Sequence, residues 1–219
     1  MPLYRTALPS WIAVLSLFTG CANVPLTETG FLKDYSELAP APEAEVWGIP
    51  DTVHLFRSGA LDAGGYDAVL VEPAVWVPSP ADDFEPSEAK MAWLLEEFSD
   101  CLKKGLGEDF EVVDEARPGA LRVRPALTAI NPQNVPLNLI TVLLVLPVDM
   151  GGISGEIEVL DALTGERVLA ISARREGNPF LWLEIFTVYG HARHGMWKWS
   201  RMLAAMLQPT GQSADPPTR

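Results

Sequence analysis

The 219-residue chain is short of basic side chains and of long apolar stretches. It carries 16 Lys+Arg against 29 Asp+Glu, a formal net charge of −13 at pH 7. Such a chain is not expected to bind nucleic acid or to hold anionic lipid through a basic patch, because both need clustered cationic side chains. Its two most apolar stretches, residues 11–18 and 135–148, are shorter than the roughly 20 residues of a membrane-spanning helix. A covalent anchor is therefore the expected route to a membrane.

Motifs of enzyme active sites are also missing. Gly151, Gly152 and Gly155 lack the Lys-Ser/Thr pair and the following helix of a phosphate-binding loop. No G-x-S-x-G nucleophile elbow occurs. Adjacent carboxylates point apart, so we interpret three such pairs as solvated surface rather than as an acid/base pair; they are Asp82-Asp83, Glu96-Glu97 and Asp114-Glu115.

Histidine is scarce, with three residues in the chain. His191 and His194 share a helix face at a spacing known from zinc sites, and Glu184 is a conceivable third ligand. Two imidazoles and a distant carboxylate are weak evidence for a metal site. We interpret the tryptophans as core residues or as a partner-binding surface rather than as a sugar-binding surface. We therefore expect no catalytic residue, no cofactor, no metal and no small-molecule substrate.

The N-terminal stretch Trp11–Cys21 is the most informative in the chain. Arg5 is the only charged side chain before it, eight apolar residues end at Phe18, and two small residues precede the cysteine. This pattern is typical of a signal peptide that is removed. It resembles the lipobox of bacterial lipoproteins, although such motifs usually carry Leu where Phe18 stands. The alternative interpretation is an ordinary signal peptide or a buried N-terminal helix.

That resemblance implies cleavage between Gly20 and Cys21, with a diacylglycerol thioether and an amine-linked acyl chain such as palmitate on Cys21. Two or more acyl chains anchor a protein stably in a lipid bilayer. Ala22, rather than Asp, follows the cysteine, which by the same resemblance implies sorting to the periplasmic face of the outer membrane. With Cys21 lipidated, Cys101 has no disulfide partner within the chain, and its position three residues after Phe98 predicts that it is buried. The alternative is a disulfide bridge to another chain.

The chain organisation predicted from these patterns has four parts: residues 1–20 as signal peptide, 21–29 as lipidated cysteine and tether, 30–208 as one globular domain and 209–219 as a disordered tail. Apolar residues at helical spacing from Met91 to Leu106 predict one helix, and a second is predicted from about His191. Strands are predicted around residues 53–57, 66–71, 110–114 and 120–129, followed by a hairpin over 155–172. The fold class is therefore α+β, a mostly antiparallel sheet with two main helices on one face.

Four stretches in this order carry a family resemblance: residues 30–38, 66–73, 119–128 and 155–166. They resemble the bacterial lipoproteins of domain-of-unknown-function family 3313 over about residues 30–207. The resemblance implies an exported, membrane-anchored α+β domain. It brings no activity, cofactor or catalytic residue.

Two hypotheses for function follow. The first is a non-catalytic lipoprotein that serves as an interaction or assembly module of the cell envelope, with the bilayer and an envelope protein as partners. The alternative is a periplasmic hydrolase that acts on envelope polymers through an acidic pair. Residues 135–148 form either a buried strand or an exposed contact surface, for which the candidate residues are Leu139, Leu143 and Leu144.

Overall fold

A computed structural model describes residues 28–41, 52–63, 65–80, 86–131, 152–176 and 190–209. Within these ranges eight strands form one sheet and two helices pack against it, which confirms the predicted single α+β domain. The signal peptide, Cys21, Ala22, the stretch 135–148 and the C-terminal tail lie outside the described residues. Neither helix in these ranges combines the length and the apolarity that a membrane crossing requires.

The sheet is mostly antiparallel, as predicted. Its strands in chain order are β1 (Ala39–Pro40), β2 (Thr52–Arg57), β3 (Ala68–Val71), β4 (Val75–Trp76), β5 (Glu111–Val112), β6 (Ala120–Asn131), β7 (Gly152–Asp161) and β8 (Arg167–Glu176). The order across the sheet is β1-β2-β8-β7-β6-β3-β5, with β4 also beside β6. The first five strands of that order pair antiparallel, whereas β3 and β4 run parallel to β6, and β5 runs parallel to β3.

Pro125 explains why two short strands share one side of β6. The carbonyls of Val123 and Leu127 accept hydrogen bonds from Glu72 and Val77 on that side. Because strand residues alternate, the nitrogen of Pro125 faces the same side, and it has no hydrogen to donate. Pro125 lies opposite residues 72–74, where β3 has ended and β4 has not yet begun. The missing hydrogen-bond donor therefore coincides with the gap between the two short strands. The sequence favours a bulge or a sheet edge at this proline, but the bulge of β6 lies between Leu127 and Ala129.

The two helices, α1 (Glu88–Leu106) and α2 (Gly190–Leu207), cover one face of the sheet. The α1 stripe is confirmed in its second half, where Leu94, Phe98, Leu102 and Leu106 are fully buried in the main core. Met91 and Leu95 pack at its margin and are half-buried. Cys101 was predicted to be buried but is also half-buried, because it lies beside the stripe rather than on it.

Two glycines allow close packing on this face. A Cβ atom at Gly105 of α1 would lie 2.7 Å from the Cβ of Ser200 on α2, so only glycine permits this approach of the helices. A Cβ atom at Gly155 of β7 would lie 2.9 Å from the ring of Trp199, which is buried and packs edge-on against Phe98. Gly155 therefore serves packing, in agreement with the absence of a phosphate-loop motif around it.

We expect Gly105→Ala to destabilise the domain by about 1 kcal/mol or more, because overpacking outweighs the gain in helix propensity. Chemical denaturation measures the change. The matched variant Gly105→Ala/Ser200→Gly removes the opposing side chain and should recover most of the loss. An increase in stability from Gly105→Ala alone would contradict this account of the helix contact.

Candidate functional site

The face of the sheet opposite the helices carries two buried carboxylates. Glu156 and Glu158 alternate with Ile157 and Val159 along β7, so they point to the same side while the apolar residues point into the core. Glu156 is 1% exposed and Glu158 is 5% exposed. Carboxylates are rarely buried to this degree unless they are paired or protonated, which makes this centre the strongest candidate for a functional site among the described residues.

Small side chains stand beside the two carboxylates and leave room above them. Glu156 is paired across the sheet with Ala126 on β6 and Ser172 on β8. Glu158 is paired with Arg124 on β6 and Ala170 on β8. The space is filled by residues 29–38, which we call the cover segment. Its Leu32 and Tyr35 are buried and form a small cluster with Ala170, separate from the main core.

Glu156 is held by two hydroxyl groups of the cover segment. The Tyr35 hydroxyl donates to Glu156 Oε2 at 2.8 Å, and the Thr29 hydroxyl donates to the same oxygen at 2.9 Å. The Tyr35 oxygen in turn accepts from the backbone N–H groups of Thr29, Gly30 and Leu32 at 3.2, 3.0 and 3.4 Å. One hydroxyl group therefore joins the turn of the cover segment to the sheet.

The second oxygen of Glu156, Oε1, is buried without a hydrogen-bond partner. Burial raises the pKa of Glu156 above its ordinary value of 4.5, and the hydrogen bonds from Tyr35 and Thr29 oppose that rise. Burial also raises the pKa of Tyr35, so the tyrosine remains a hydrogen-bond donor. The arrangement favours a protonated Glu156, since an ionised carboxylate with one unpaired oxygen is costly in a buried site.

Glu158 is neutralised by two arginines. Arg124 Nη1 lies 2.5 Å from Glu158 Oε2, and Arg167 contacts Oε1 through Nε at 3.0 Å and Nη2 at 2.7 Å. Arg124 also lies 3.4 Å from Glu72, so the ion pairs form a network. Arg167 is a second link to the cover segment, because it donates to the backbone carbonyls of Leu32 and Asp34.

Two neighbouring carboxyl groups in different environments, one raised in pKa by burial and one paired with arginines, form the pattern of an acid/base pair. Here both groups are closed off by the cover segment, and their polar atoms, apart from Glu156 Oε1, are used within the protein. In the described ranges, no group of three or more His, Cys, Asp or Glu side chains is arranged to hold a metal ion. Through these contacts, the centre attaches the cover segment to the sheet.

A second feature is an apolar groove of about 370 Å³ beside the start of α1. Trp76 and Pro86 line it together with Glu88, Met91, Ala92 and Leu95. It is open and shallow, and no buried polar side chain among these residues points into it.

The predicted site residues that belong to the described ranges line neither of these two places. Gly20, Cys21, Ala22, Leu139, Leu143 and Leu144 lie outside the described residues, as do Asp82, Asp83 and Glu184. His191 and His194 fall on α2, but the positions of their side chains lie outside the described structure. Glu97 forms an ion pair with Arg193 at 2.9 Å, and Asp114 and Glu115 are exposed.

Sequence reasoning missed Glu156 and Glu158, because it considered only carboxylates adjacent in sequence. A signal was present: in a strand, residues two apart share a face, and Glu156 and Glu158 are spaced in this way within the predicted hairpin. The outward placement of Arg122 and Arg124, predicted from the alternation of β6, puts two guanidinium groups on the neighbouring strand. Cross-strand pairing of opposite charges is the expected result.

A family model described as "Protein of unknown function (DUF3313)" matches residues 27–203. No curated protein sequence matches the chain. Among solved structures, the PelC dodecamer from Paraburkholderia phytofirmans is 13% identical, over 73% of this chain and 99% of that chain, with a TM-score of 0.43. A DUF330 protein from Xanthomonas campestris is 10% identical, over 64% and 81% of the two chains, with a TM-score of 0.40. Similarities at this level support no inference about function.

The raised pKa of Glu156 predicts how its contribution to stability changes with pH. Above the unfolded value of 4.5 the folded protein binds more protons than the unfolded chain, so this contribution falls as pH rises through the raised pKa. Glu156→Gln keeps the shape and removes the titration. We expect the free energy of unfolding of the wild type, minus that of the variant, to decrease from pH 4.5 toward neutrality. A difference that stays constant with pH would contradict the proposed protonation.

Proposed function

We propose that this chain, which belongs to the DUF3313 family of proteins of unknown function, is a bacterial lipoprotein anchored to the periplasmic face of the outer membrane. The proposal names Cys21 as the acylated residue, Gly20–Cys21 as the cleavage site and Ala22 as the sorting residue. Its support is the N-terminal stretch itself: a short apolar run, two small residues and a cysteine, in a chain too acidic to hold anionic lipid by charge.

We further propose that the protein is a non-catalytic interaction or assembly module of the cell envelope. The observation that carries this proposal is the burial of Glu156 and Glu158. An acid/base pair must reach the bond that it cleaves, whereas these carboxylates are 1% and 5% exposed beneath the cover segment. Even without the cover segment, Glu158 would still be paired with Arg124 and Arg167, so the two carboxylates would not be free to act as an acid/base pair.

The envelope partner is proposed to contact residues 135–148 through Leu139, Leu143 and Leu144. This stretch has many apolar residues between two prolines, and a lipid anchor would keep it near the membrane. The partner is then an envelope protein or the bilayer itself.

Cys21→Ser should prevent acylation, because serine has no thiol to form the thioether. The expected result is an uncleaved or soluble protein that takes up no labelled palmitate. Incorporation of label into the variant would contradict the assignment of Cys21.

The matched variant for this experiment is Ala22→Asp, which keeps the acylated cysteine. In a host that retains Asp-bearing lipoproteins at the inner membrane, it should incorporate palmitate and move to the inner-membrane fraction of a density gradient. Wild-type fractionation of a fully acylated Ala22→Asp protein would count against the outer-membrane address.

Leu143→Asn/Leu144→Asn tests the contact surface. If these side chains contact a partner, the variant should keep the wild-type melting temperature and lose photo-crosslinking from position 139 in native envelopes. The control Leu102→Asn/Leu106→Asn changes two buried core residues and should lose several kcal/mol of stability. A similar loss of stability in the first variant would identify residues 143–144 as core and refute the contact surface.

A further inference from the structure

The cover segment is joined to the sheet by a small apolar cluster and by hydrogen bonds. The cluster has three buried residues, Leu32, Tyr35 and Ala170, with Phe31, Leu38 and Phe56 partly buried against them, and it is separate from the main core. The hydrogen bonds run from Tyr35 to Glu156 and from Arg167 to the backbone carbonyls of Leu32 and Asp34. Segments with few buried apolar contacts are those that open locally while the rest of a domain stays folded.

Two features make this attachment marginal. Glu156 Oε1 is buried without a hydrogen-bond partner, and leaving a buried polar atom unpaired opposes folding. Lys33 has a φ angle of 62°, and it is the one non-glycine residue in the described ranges with positive φ. Lysine has no side-chain preference for that conformation, so the turn of the cover segment stores strain.

The cover segment is also the first described part of the chain after the proposed anchor. Gly30 lies nine positions after Cys21, and a fully extended chain of that length spans about 30 Å. Behind the cover segment, β1 pairs with β2 and Ala41 donates to the Val53 carbonyl, where it is part of the main core. If residues 29–38 leave the sheet, the first fixed residue becomes Ala39, and the extended span from Cys21 grows to about 60 Å.

We propose that the cover segment, residues 29–38, is a releasable clasp. Its release from the sheet sets how far the domain reaches from its membrane anchor. In the closed state, the Tyr35 hydroxyl holds the clasp on β7 and Arg167 holds it on β8, which keeps the domain within about 30 Å of the lipid surface. In the open state of the clasp, the domain reaches about twice as far from the lipid surface without unfolding. The change in reach depends on the acylation of Cys21 proposed above. The local opening of the clasp does not depend on it.

Hydrogen exchange of the full-length protein tests the opening. Tyr35→Phe removes the hydroxyl that accepts from three backbone N–H groups and donates to Glu156. We expect amides of residues 29–38 to exchange about tenfold faster, with β7 and β8 unchanged. Tyr66→Phe is the matched control, because it deletes a hydroxyl bonded to Asp161 away from the clasp and should leave residues 29–38 unaffected. Exchange of the clasp and the sheet at one common rate, in wild type and variant, would overturn the proposal.

Energy transfer to vesicles tests the reach. The donor is placed at exposed Leu163 as Leu163→Cys in a Cys101→Ser background, and the acceptor is a headgroup-labelled lipid in the vesicle that carries the acylated protein. Tyr35→Phe should increase the mean distance of the donor from the lipid surface, and Tyr66→Phe should not. Equal distances despite faster clasp exchange would refute the role in reach. A protein that fails to float with vesicles would instead refute the anchor, and the exchange experiment would still decide the clasp.

Discussion

The structure depends on the burial of two carboxylates on one strand. Removing a charged carboxylate from water costs several kcal/mol unless it is paired or protonated, and a strand that places Glu156 and Glu158 on one face must meet that cost twice. The protein uses both solutions. Glu158 is paired with Arg124 and Arg167, whereas burial raises the pKa of Glu156, which accepts hydrogen bonds from the hydroxyls of Tyr35 and Thr29.

The burial of these two carboxylates determines which residues cover each face of the sheet. On the helix side, β7 contributes Ile157 and Val159 to a continuous apolar core, and Gly155 admits the Trp199 ring. On the other side no helix is described, and the carboxylates are covered by residues 29–38. The helix layer is attached by burial in the main core, whereas the cover segment is attached by hydrogen bonds and a small separate apolar cluster. The sheet therefore holds the helices on one face more firmly than the cover segment on the other.

The sequence predicted the elements that have a clear period. The α1 stripe, the hairpin of β7 and β8 and the alternation of β6 were visible because buried and exposed positions repeat at the helix or strand spacing. Three features escaped it. The side of β6 that Pro125 faces depends on where the neighbouring strand breaks, Cys101 lies beside the α1 stripe rather than on it, and the role of Glu156 depends on a tyrosine 121 residues away. Contacts between residues so far apart leave no repeating pattern in the sequence.

The claim that Tyr35 and Glu156 attach the cover segment to the sheet is tested most directly by a double-mutant cycle. The free energy of unfolding would be measured for wild type, Tyr35→Phe, Glu156→Leu and the double variant, at a pH where Glu156 is protonated. A hydrogen bond shielded from water predicts a coupling energy of about 1 kcal/mol or more between the two positions. Additive losses, with a coupling energy of zero, would contradict the account.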